Sequence, residues 1–381
     1  MKIISAFVIT FFLICFSLFL SYQSVYTDFP VYYAAAKTIL APGTAKSSVY
    51  DTDMPGRYPI PEPTEENNVF IYSMPVAYLF APLALMPYFI AKATMIFINI
   101  VLYVTAIALI LRYNRSSGRW SSYPLLLSWV WIPYVQGIRT GQVDAIMLFL
   151  VTLAGLSATK NRNGLPGILL AIAALFKLFP FAIAMLLGLK NWRIPVYCAL
   201  CFGAFLLMPG SLKWFMAIRN IYTFDFMPTY LLLKKGSLAW IGLLYFGVIV
   251  GYTAATVYRF RYVNHLMLIA FAIPAVFLIM PIVEYHHLTL LIFSYVYLLN
   301  PSNKDNRWLL LIALLSFVLI DVSYFISRQS YLIVMPLASK ILIILGLLMS
   351  WSAMAWKIHV VGQRTFPLGR PDETRSASAH S

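Results

Sequence analysis

The sequence predicts an all-α integral membrane protein, a polytopic bundle of about 10–12 membrane helices. Of its 381 residues, 61% are hydrophobic and 11% are charged. A soluble chain of this length cannot bury so much apolar surface in one core. The apolar residues also form runs, such as Ala93–Leu111, that approach the length of about 20 residues that a helix needs to cross a bilayer.

The chain opens with a segment that resembles a signal peptide, because Lys2 precedes an apolar run. The run extends from Ile3 to Leu20, which is longer than the usual hydrophobic region of a signal peptide, and no small-x-small cleavage site follows it. We therefore expect an uncleaved first membrane helix over residues 3–22.

A polar segment, 23–69, follows this helix and carries six acidic residues against three basic ones. Acidic loops are tolerated outside the membrane, so the segment is predicted to be extracytoplasmic. Within it, Phe29–Leu40 is amphipathic and rich in aromatic residues. This pattern predicts a helix at the membrane interface.

Two apolar segments are interrupted and are not expected to cross as single helices. Three prolines break 70–87, which is therefore predicted to be partial or re-entrant. The segment 164–189 is broken at Lys177 and Pro180. Further spans are predicted near 91–111, 123–138, 142–159, 195–209, 237–258, 265–283, 287–299, 308–325 and 336–356.

The formal net charge of +15 indicates topology rather than nucleic-acid binding, because the basic residues lie in ones to threes between the apolar runs. If 70–87 and 164–189 do not cross, the predicted cytoplasmic segments hold 16 of the 28 basic residues but three of the 13 acidic ones. This bias predicts cytoplasmic N- and C-termini. It also predicts that 164–189 is a hairpin of two half-helices, entered from the cytoplasm, with Lys177 at its tip.

No clear internal repeat appears, so we expect one membrane domain over 1–357, followed by a disordered cytoplasmic tail over 358–381. The three cysteines, Cys15, Cys198 and Cys201, lie in apolar segments without metal-binding or disulfide spacing. They are interpreted as packing residues.

Polar residues near the predicted outer side are candidates for chemistry, because a charge at the bilayer centre costs about 2.5–3.5 kcal/mol and normally faces a cavity or a partner. Asp28 precedes the amphipathic helix. Its carboxylate is either an N-cap that accepts backbone N–H bonds or a general base at the membrane edge. Both roles are compatible if one carboxylate oxygen caps the helix and the other faces a cavity.

The motif 139–144 links two apolar spans. It is either a polar turn in which Asp144 pairs with Arg139, or a site where Arg139 or Gln142 binds phosphate or sugar hydroxyls. Lys177 interrupts an apolar stretch. It either caps half-helix carbonyls or binds an anion, for which a lipid phosphate is the obvious candidate.

His286 and His287 follow Glu284 between two apolar spans. Adjacent residues of an α-helix point about 100° apart, so this pair is not expected to share a metal ion. One imidazole facing a cavity could donate to a phosphate, while an interfacial position is the alternative. No nucleotide-binding or metalloenzyme motif is present, and we expect neither a metal nor another cofactor.

In their order and spacing over about residues 20–300, these motifs resemble the polyprenol-phosphate-mannose-dependent mannosyltransferases of glycosyltransferase family 87, within the GT-C superfold. Two positions depart from the pattern. Asp144 stands where asparagine is expected, and Glu284-Tyr285 stands where Trp-Asp often precedes the histidines. The matching segments are Asp28–Ala35, Val49–Tyr50, Tyr72–Pro75, Phe80–Leu83, Gly141–Asp144, Lys177–Pro180 and Glu284–Leu288.

The resemblance implies a GT-C fold and a lipid-linked donor rather than a nucleotide sugar. The expected activity is that of an inverting hexosyltransferase that takes a hexose, mannose first among the candidates, from a polyprenyl-phosphate sugar. The acceptor would be a glycolipid or glycan at the outer face of the cell inner (plasma) membrane, in cell-envelope biosynthesis.

The resemblance places the catalytic carboxylate after the first helix, which is Asp28 here. Phosphate-binding groups would stabilise the leaving group, and polar or aromatic groups would bind the substrates; for each tyrosine taken alone, interfacial anchoring is the alternative. The phosphate-binding candidates are Lys177, Arg139, His286 and His287, and the substrate-binding candidates are Tyr32, Tyr33, Tyr72, Gln142, Asp144 and Glu284.

Two other classes share this pattern. A transporter or flippase of lipid-linked sugars would have the same topology and intramembrane charges. A structural subunit of an envelope-assembly complex would have the topology without the activity.

Overall fold

The described part of the chain is almost entirely helical and contains no strand, which confirms the all-α fold class. The computed structural model describes residues 15, 19, 28–51, 54–58, 60–61, 70–114, 128, 130–162, 164–211, 213–214, 216–217, 239–280, 285–299, 307–329 and 337–365.

The helices are numbered here in chain order. They are α1 (Phe29–Leu40), α2 (Met74–Ala84), α3 (Tyr88–Tyr113), α4 (Ile132–Thr140), α5 (Asp144–Thr159), α6 (Leu165–Phe176), α7 (Phe179–Gly188), α8 (Arg193–Leu206), α9 (Ala239–Arg259), α10 (His265–Ile279), α11 (Ile292–Leu298), α12 (Arg307–Gln329) and α13 (Leu337–Thr365), with 3₁₀ segments at Lys46–Tyr50, Met54–Arg57 and Tyr285–Leu291.

Four of the described helices, α3, α9, α12 and α13, are long and apolar enough to cross a membrane. Helices α4 and α5 qualify together but are bent by 120° at the break between them. Five other apolar helices have 10–17 residues, fewer than the about 20 that a perpendicular span requires. The protein is thus a polytopic helical membrane protein, but several predicted spans are too short to cross alone, because prolines and polar residues interrupt them.

Three elements at the centre of the bundle are buried on all sides. Fourteen of the 15 residues of α10 are buried, and so is every residue of the 3₁₀ segment Tyr285–Leu291 and of α11. Helices with apolar residues all round are typical of such positions. The predicted span 287–299 is therefore a 3₁₀ segment followed by a seven-residue helix inside the protein.

The hairpin predicted over 164–189 is confirmed. A Cβ atom at Gly167 would lie 2.5 Å from the carbonyl oxygen of Ile194, and one at Gly188 would lie 2.7 Å from Cγ of Pro195. Both ends of the α6–α7 segment thus meet the first turn of α8, whereas one continuous helix would hold them about 30 Å apart. The chain turns back at Lys177.

Opposite ends of α5 define two ends of the bundle. Gly155, near its C-terminus, packs against Leu266 at the start of α10. At this end the Lys190 ammonium donates to the carbonyl of Val263, and the Tyr262 hydroxyl donates to the carbonyl of Gly362 at 3.1 Å. The predicted cytoplasmic loops 190–193 and 259–264 therefore share one end with the last turns of α13, and Asp144 lies at the other.

The N-terminal elements are described only from Asp28. Helix α1 has the predicted bounds, but ten of its 12 residues are buried, so it packs into the protein instead of exposing one polar face. The predicted first helix, 3–22, lies outside the described residues except for two positions. Helix α13 continues to Thr365, so 358–365 of the predicted tail is helical, while 366–381 lies outside the described residues.

Candidate active site at the helix breaks

The tip of the α6–α7 hairpin brings a lysine into a cluster of polar side chains. The Lys177 ammonium lies 3.1 Å from Oδ1 of Asp144 and 3.4 Å from Oε1 of Gln142. It also lies 2.9 Å from Nε2 of His286. Lys177 has an extended backbone after the last turn of α6, so its side chain points away from the hydrogen-bonded turns of that helix. Three motifs far apart in sequence thus meet at one ammonium group.

Asp144 is paired with Lys177, so of the two alternatives for the motif 139–144, the turn held by an Asp144–Arg139 pair is not the one observed. Both side chains of the observed pair are largely buried, with exposed fractions of 2% for Asp144 and 11% for Lys177. Removing one member of such a pair costs about 3–5 kcal/mol, because the remaining charge is left buried without a partner. The pair therefore fixes the hairpin tip against the start of α5.

The second part of the cluster is a triangle of hydroxyl and amide groups. The Tyr32 and Tyr72 hydroxyls lie 2.5 Å apart, and each lies 3.3 Å from Oε1 of Gln142. The Tyr32 ring stacks on Phe80 at a centroid distance of 4.8 Å, which restricts its movement. Gln142 connects this triangle to Lys177, so the tyrosines and the cation form one hydrogen-bonded network.

Asp28 joins this region through its backbone. Its N–H donates to the carbonyl of Thr140 at 2.8 Å, two residues before Gln142. Gly141, between them, has φ +70°, and a Cβ there would lie 2.8 Å from Cβ of Phe29. A glycine is required at this position because both the left-handed backbone and the close approach exclude a side chain. The turn between α4 and α5 therefore seats the start of α1.

Asp28 occupies the N-cap position of α1, but its side chain makes no capping hydrogen bond. Its backbone carbonyl accepts from the N–H groups of Val31 and Tyr32 instead, at 3.1 and 3.3 Å. The interpretation of the carboxylate as an N-cap was therefore wrong.

The two histidines lie in the 3₁₀ segment Tyr285–Leu291, and both are buried. Their rings are 4.6 Å apart and nearly perpendicular. One donor atom from each histidine and one carboxylate oxygen of Asp144 lie within 4.8 Å of one another. These three groups could therefore offer ligands to one ion, which helical spacing alone did not indicate. That the histidine pair shares no metal ion stays a prediction. The Lys177 ammonium, however, lies within hydrogen-bonding distance of both Asp144 and His286.

Three predicted site residues are not brought into the cluster. Tyr33 packs against Phe29 and Tyr88, and its hydroxyl donates to the carbonyl of Met86 at 2.8 Å. Arg139, in the last turn of α4, is partly exposed and has no hydrogen bond or ion pair with the cluster among the described contacts. Glu284 lies outside the described residues.

Ser73 was missed by the sequence analysis, although its motif was noted. Its hydroxyl donates to the carbonyl of Leu175 at 2.8 Å, in the last turn of α6. Carbonyls at the end of a half-helix lack helical partners, and in a membrane they must find others. Ser73 supplies one and so stabilises the break that presents Lys177. The signal was its place at a helix start, two residues before Pro75.

Asn99, Thr289 and Asp321 were also missed. Each is a single polar residue in an apolar run, a pattern that indicates a buried partner because unpaired polar groups are costly in a membrane. Asp321 Oδ1 accepts from the N–H of Ile132 at 3.2 Å, at the start of α4. Asn99 and Thr289 line a cavity beside Gln142 and Asp144.

The fold and this cluster define a polytopic helical membrane protein whose polar site is assembled from breaks in its apolar helices. The sequence matches the model of glycosyltransferase family 87 over residues 70–283, more than half of the chain. The chain belongs to glycosyltransferase family 87 and is a membrane glycosyltransferase. Neither a curated protein nor a solved structure matched it in the same comparisons.

Proposed function

We propose that this enzyme transfers a hexose, with mannose as the first candidate, from a polyprenyl-phosphate sugar to an extracytoplasmic glycolipid or glycan. The observation that supports this most is the position of the Lys177 ammonium between two half-helices, in contact with Gln142, Asp144 and His286. A buried cation at a helix break suits a ligand that brings an anion into the apolar region. A polyprenyl-phosphate donor is such a ligand.

The ammonium group has three N–H donors, and its neighbours all offer acceptors. A donor phosphate would replace the weaker contact to Gln142, at 3.4 Å, and keep the pairing with Asp144. When Nε2 of His286 accepts from Lys177, Nδ1 carries the proton and could donate to another phosphate oxygen. Together these groups would stabilise the negative charge on the departing phosphate.

The reaction is a single displacement. The acceptor hydroxyl oxygen bonds to the anomeric carbon, the bond from that carbon to the phosphate oxygen breaks, and polyprenyl phosphate leaves with the electron pair. Asp28 takes the hydroxyl proton as general base. Because attack and departure occur on opposite faces, the anomeric configuration is inverted. The phosphate is already a competent leaving group, so a second carboxylate acid is not needed.

The positions of the carboxylate and the cation support this assignment. Asp28 is held by Thr140, and Lys177 touches Gln142, so both depend on the same turn between α4 and α5. The hydroxyl groups of Tyr32 and Tyr72 are linked to Lys177 through Gln142 and would bind the hexose. Arg139 and Tyr33 lie outside this network and receive no role.

We further propose that Lys177, rather than a metal ion, supplies the positive charge for the phosphate. Asp144, His286 and His287 could offer three ligands to an ion. Lys177 lies 3.1 Å from the first and 2.9 Å from the second. An ion at that position would either displace the ammonium or be repelled by its positive charge.

The site would face the outside of the cell inner membrane, and both termini would lie in the cytoplasm. Support for this orientation comes from the basic loops 190–193 and 259–264, which lie at the end of the bundle away from Asp144. Basic residues favour the cytoplasmic side.

Purified full-length protein in lipid nanodiscs tests the proposal. The protein is incubated with synthetic polyprenyl-phosphate hexoses and an envelope lipid extract, and new glycosides are identified by mass spectrometry. A new α-glycoside from a β-linked donor supports the proposal. Activity with a nucleotide sugar alone, or movement of labelled donor across vesicles without a new glycosidic bond, contradicts it.

A further inference from the structure

A small polar cavity of about 10 Å³ lies beside the Lys177–Asp144 pair. It is lined by residues of α3, α4, the start of α5 and the 3₁₀ segment Tyr285–Leu291. None of its lining residues belongs to the α6–α7 hairpin. Asn99, Gln142, Asp144 and Thr289 are among its lining residues.

Two buried polar atoms at this cavity have no hydrogen-bond partner within the described part of the chain, namely Asn99 Oδ1 and Thr289 Oγ1. The amide nitrogen of Asn99 donates to the carbonyl of Met95 at 3.2 Å, so the amide oxygen remains without a hydrogen-bond partner. Both side chains are almost fully buried, with exposed fractions of 1%. A buried polar group without a partner destabilises the fold, so two of them at one cavity call for a polar occupant.

We infer that this cavity is a binding site for a water molecule, which donates a hydrogen bond to the carboxylate of Asp144 in addition to the contact that Asp144 makes with Lys177. A buried water typically makes two to four hydrogen bonds and needs about 10–15 Å³ of free volume for its centre, so this cavity offers the partners and the space for one water. The water accepts from the Thr289 hydroxyl and donates to Asn99 Oδ1 and to Asp144. Asn99 and Thr289 are thereby positioning residues, since they act on the reaction through Asp144.

The water also bears on the affinity for the donor. A carboxylate that accepts a hydrogen bond from water carries less charge toward Lys177, so the ammonium is shared more readily with a phosphate. Without the water, Asp144 would hold Lys177 more strongly and the donor would bind more weakly. This consequence rests on the proposed function, whereas the presence of the water does not.

Gly137 offers a way to expel the water without damaging the fold. A Cβ there would lie 3.8 Å from Thr289 Oγ1 and 3.9 Å from Cβ of Gln142, which is ordinary van der Waals contact. Alanine also favours the helical conformation more than glycine does. Gly137→Ala should therefore fill the cavity and weaken donor affinity about two- to tenfold, the range expected of one hydrogen bond. The helical gain only partly offsets the loss of the water from Asn99 and Thr289, so the melting temperature should fall.

Substitutions of Thr289 test the water itself. If the cavity is wet, Thr289→Val lowers the melting temperature of the nanodisc-embedded protein, because the water loses a partner, and Thr289→Ser retains most of the stability. If the cavity is dry, Thr289→Val raises the melting temperature, because an unsatisfied hydroxyl is removed. That result, or a high-resolution density map without a water peak between Asn99 and Thr289, overturns the inference. A wet cavity in a protein that lacks transferase activity would leave the water site standing and remove the proposed function.

Discussion

The ammonium of Lys177 lies 3.1 Å from Oδ1 of Asp144, although 33 residues separate the two in sequence. The contact forms because α6 ends at Phe176 and the chain turns back toward α8. The contact joins the tip of a hairpin of two half-helices to the first residue of α5. It also places the positive charge of Lys177 next to Gln142, which is hydrogen-bonded to the hydroxyls of Tyr32 and Tyr72.

Replacement of Lys177 should separate its structural role from its role in binding. Lys177→Ala leaves Asp144 buried without its partner, and we expect a loss of about 3–5 kcal/mol in stability. Donor affinity should fall about ten- to hundredfold, as for loss of a hydrogen bond to a charged group. Thermal unfolding and binding of a synthetic polyprenyl-phosphate hexose measure the two effects.

The double variant Lys177→Met/Asp144→Leu is the control. Buried ion pairs can often be replaced by apolar residues without loss of stability, so this variant should unfold near the wild-type temperature and still bind the donor poorly. Wild-type donor affinity in the double variant would show that the lysine only supports the fold.

Asp28→Asn should lower the transfer rate by about two to four orders of magnitude, the usual contribution of a general base. The backbone contacts of Asp28 to Thr140 and to α1 do not involve the carboxylate, so the fold and donor affinity should be unchanged. Asp51→Asn is a matched control in the same segment, because Asp51 pairs with Arg57 at 2.9 Å at a partly exposed position. If the two variants turn over equally fast, Asp28 is not the base.

Gly141→Ala should reduce both stability and transfer. The residue has φ +70°, and an added Cβ would meet Phe29 at 2.8 Å. The left-handed conformation costs about 1–2 kcal/mol for a residue with a side chain, and the collision should also move Asp28 away from the turn. Stability is measured by thermal unfolding and transfer by glycoside formation.

Gly43→Ala measures the cost of the left-handed backbone without a steric collision. Gly43 has φ +74°, yet nothing lies within 4 Å of an added Cβ. The Gly43→Ala variant should lose a similar amount of stability from the left-handed conformation and keep the wild-type transfer rate. Equal activity of the two alanine variants would mean that the contact between Gly141 and Phe29 does not position the catalytic segment.

Chelation should leave the transfer rate unchanged, because Lys177 lies within hydrogen-bonding distance of Asp144 and His286. Turnover is measured after exhaustive treatment with a chelator and after addition of divalent cations. Loss of activity on chelation with recovery on one particular metal would assign Asp144, His286 and His287 to that ion instead.

Much of this architecture could be predicted from sequence because each signal is local. A lysine and a proline inside an apolar run indicate a helix break, and the distribution of basic residues indicated that the two halves return to the same side. The pairing of Asp144 was not predictable in the same way. Arg139 is five residues away and Lys177 is far away, and only the folded hairpin decides between them.

Two local expectations differ from the fold. Asp28 has a helical backbone rather than the extended one typical of a capping residue, and its side chain makes no capping bond. The donor atoms of His286, His287 and Asp144 come close together in the folded bundle, which spacing along one segment does not show. The polar residues Asn99 and Asp321 carried a usable signal, since each is costly in an apolar span, but the sequence does not say which group they meet.

Asp321→Leu should disturb the site from outside the matched family region, which ends at residue 283. The N–H groups at the start of α4 need acceptors, and Asp321 of α12 supplies one to Ile132 at 3.2 Å. The Tyr324 hydroxyl adds a second link from α12, to Gln136 at 2.8 Å. We expect Asp321→Leu to lower stability by about 1–3 kcal/mol and to reduce transfer, because α4 leads directly into the Gly141 turn. Asp321→Asn keeps an acceptor oxygen and should lose much less of both. If thermal unfolding and glycoside formation give the same result for leucine and asparagine, the contact does not hold α4, and α12 contributes to the fold by apolar packing alone.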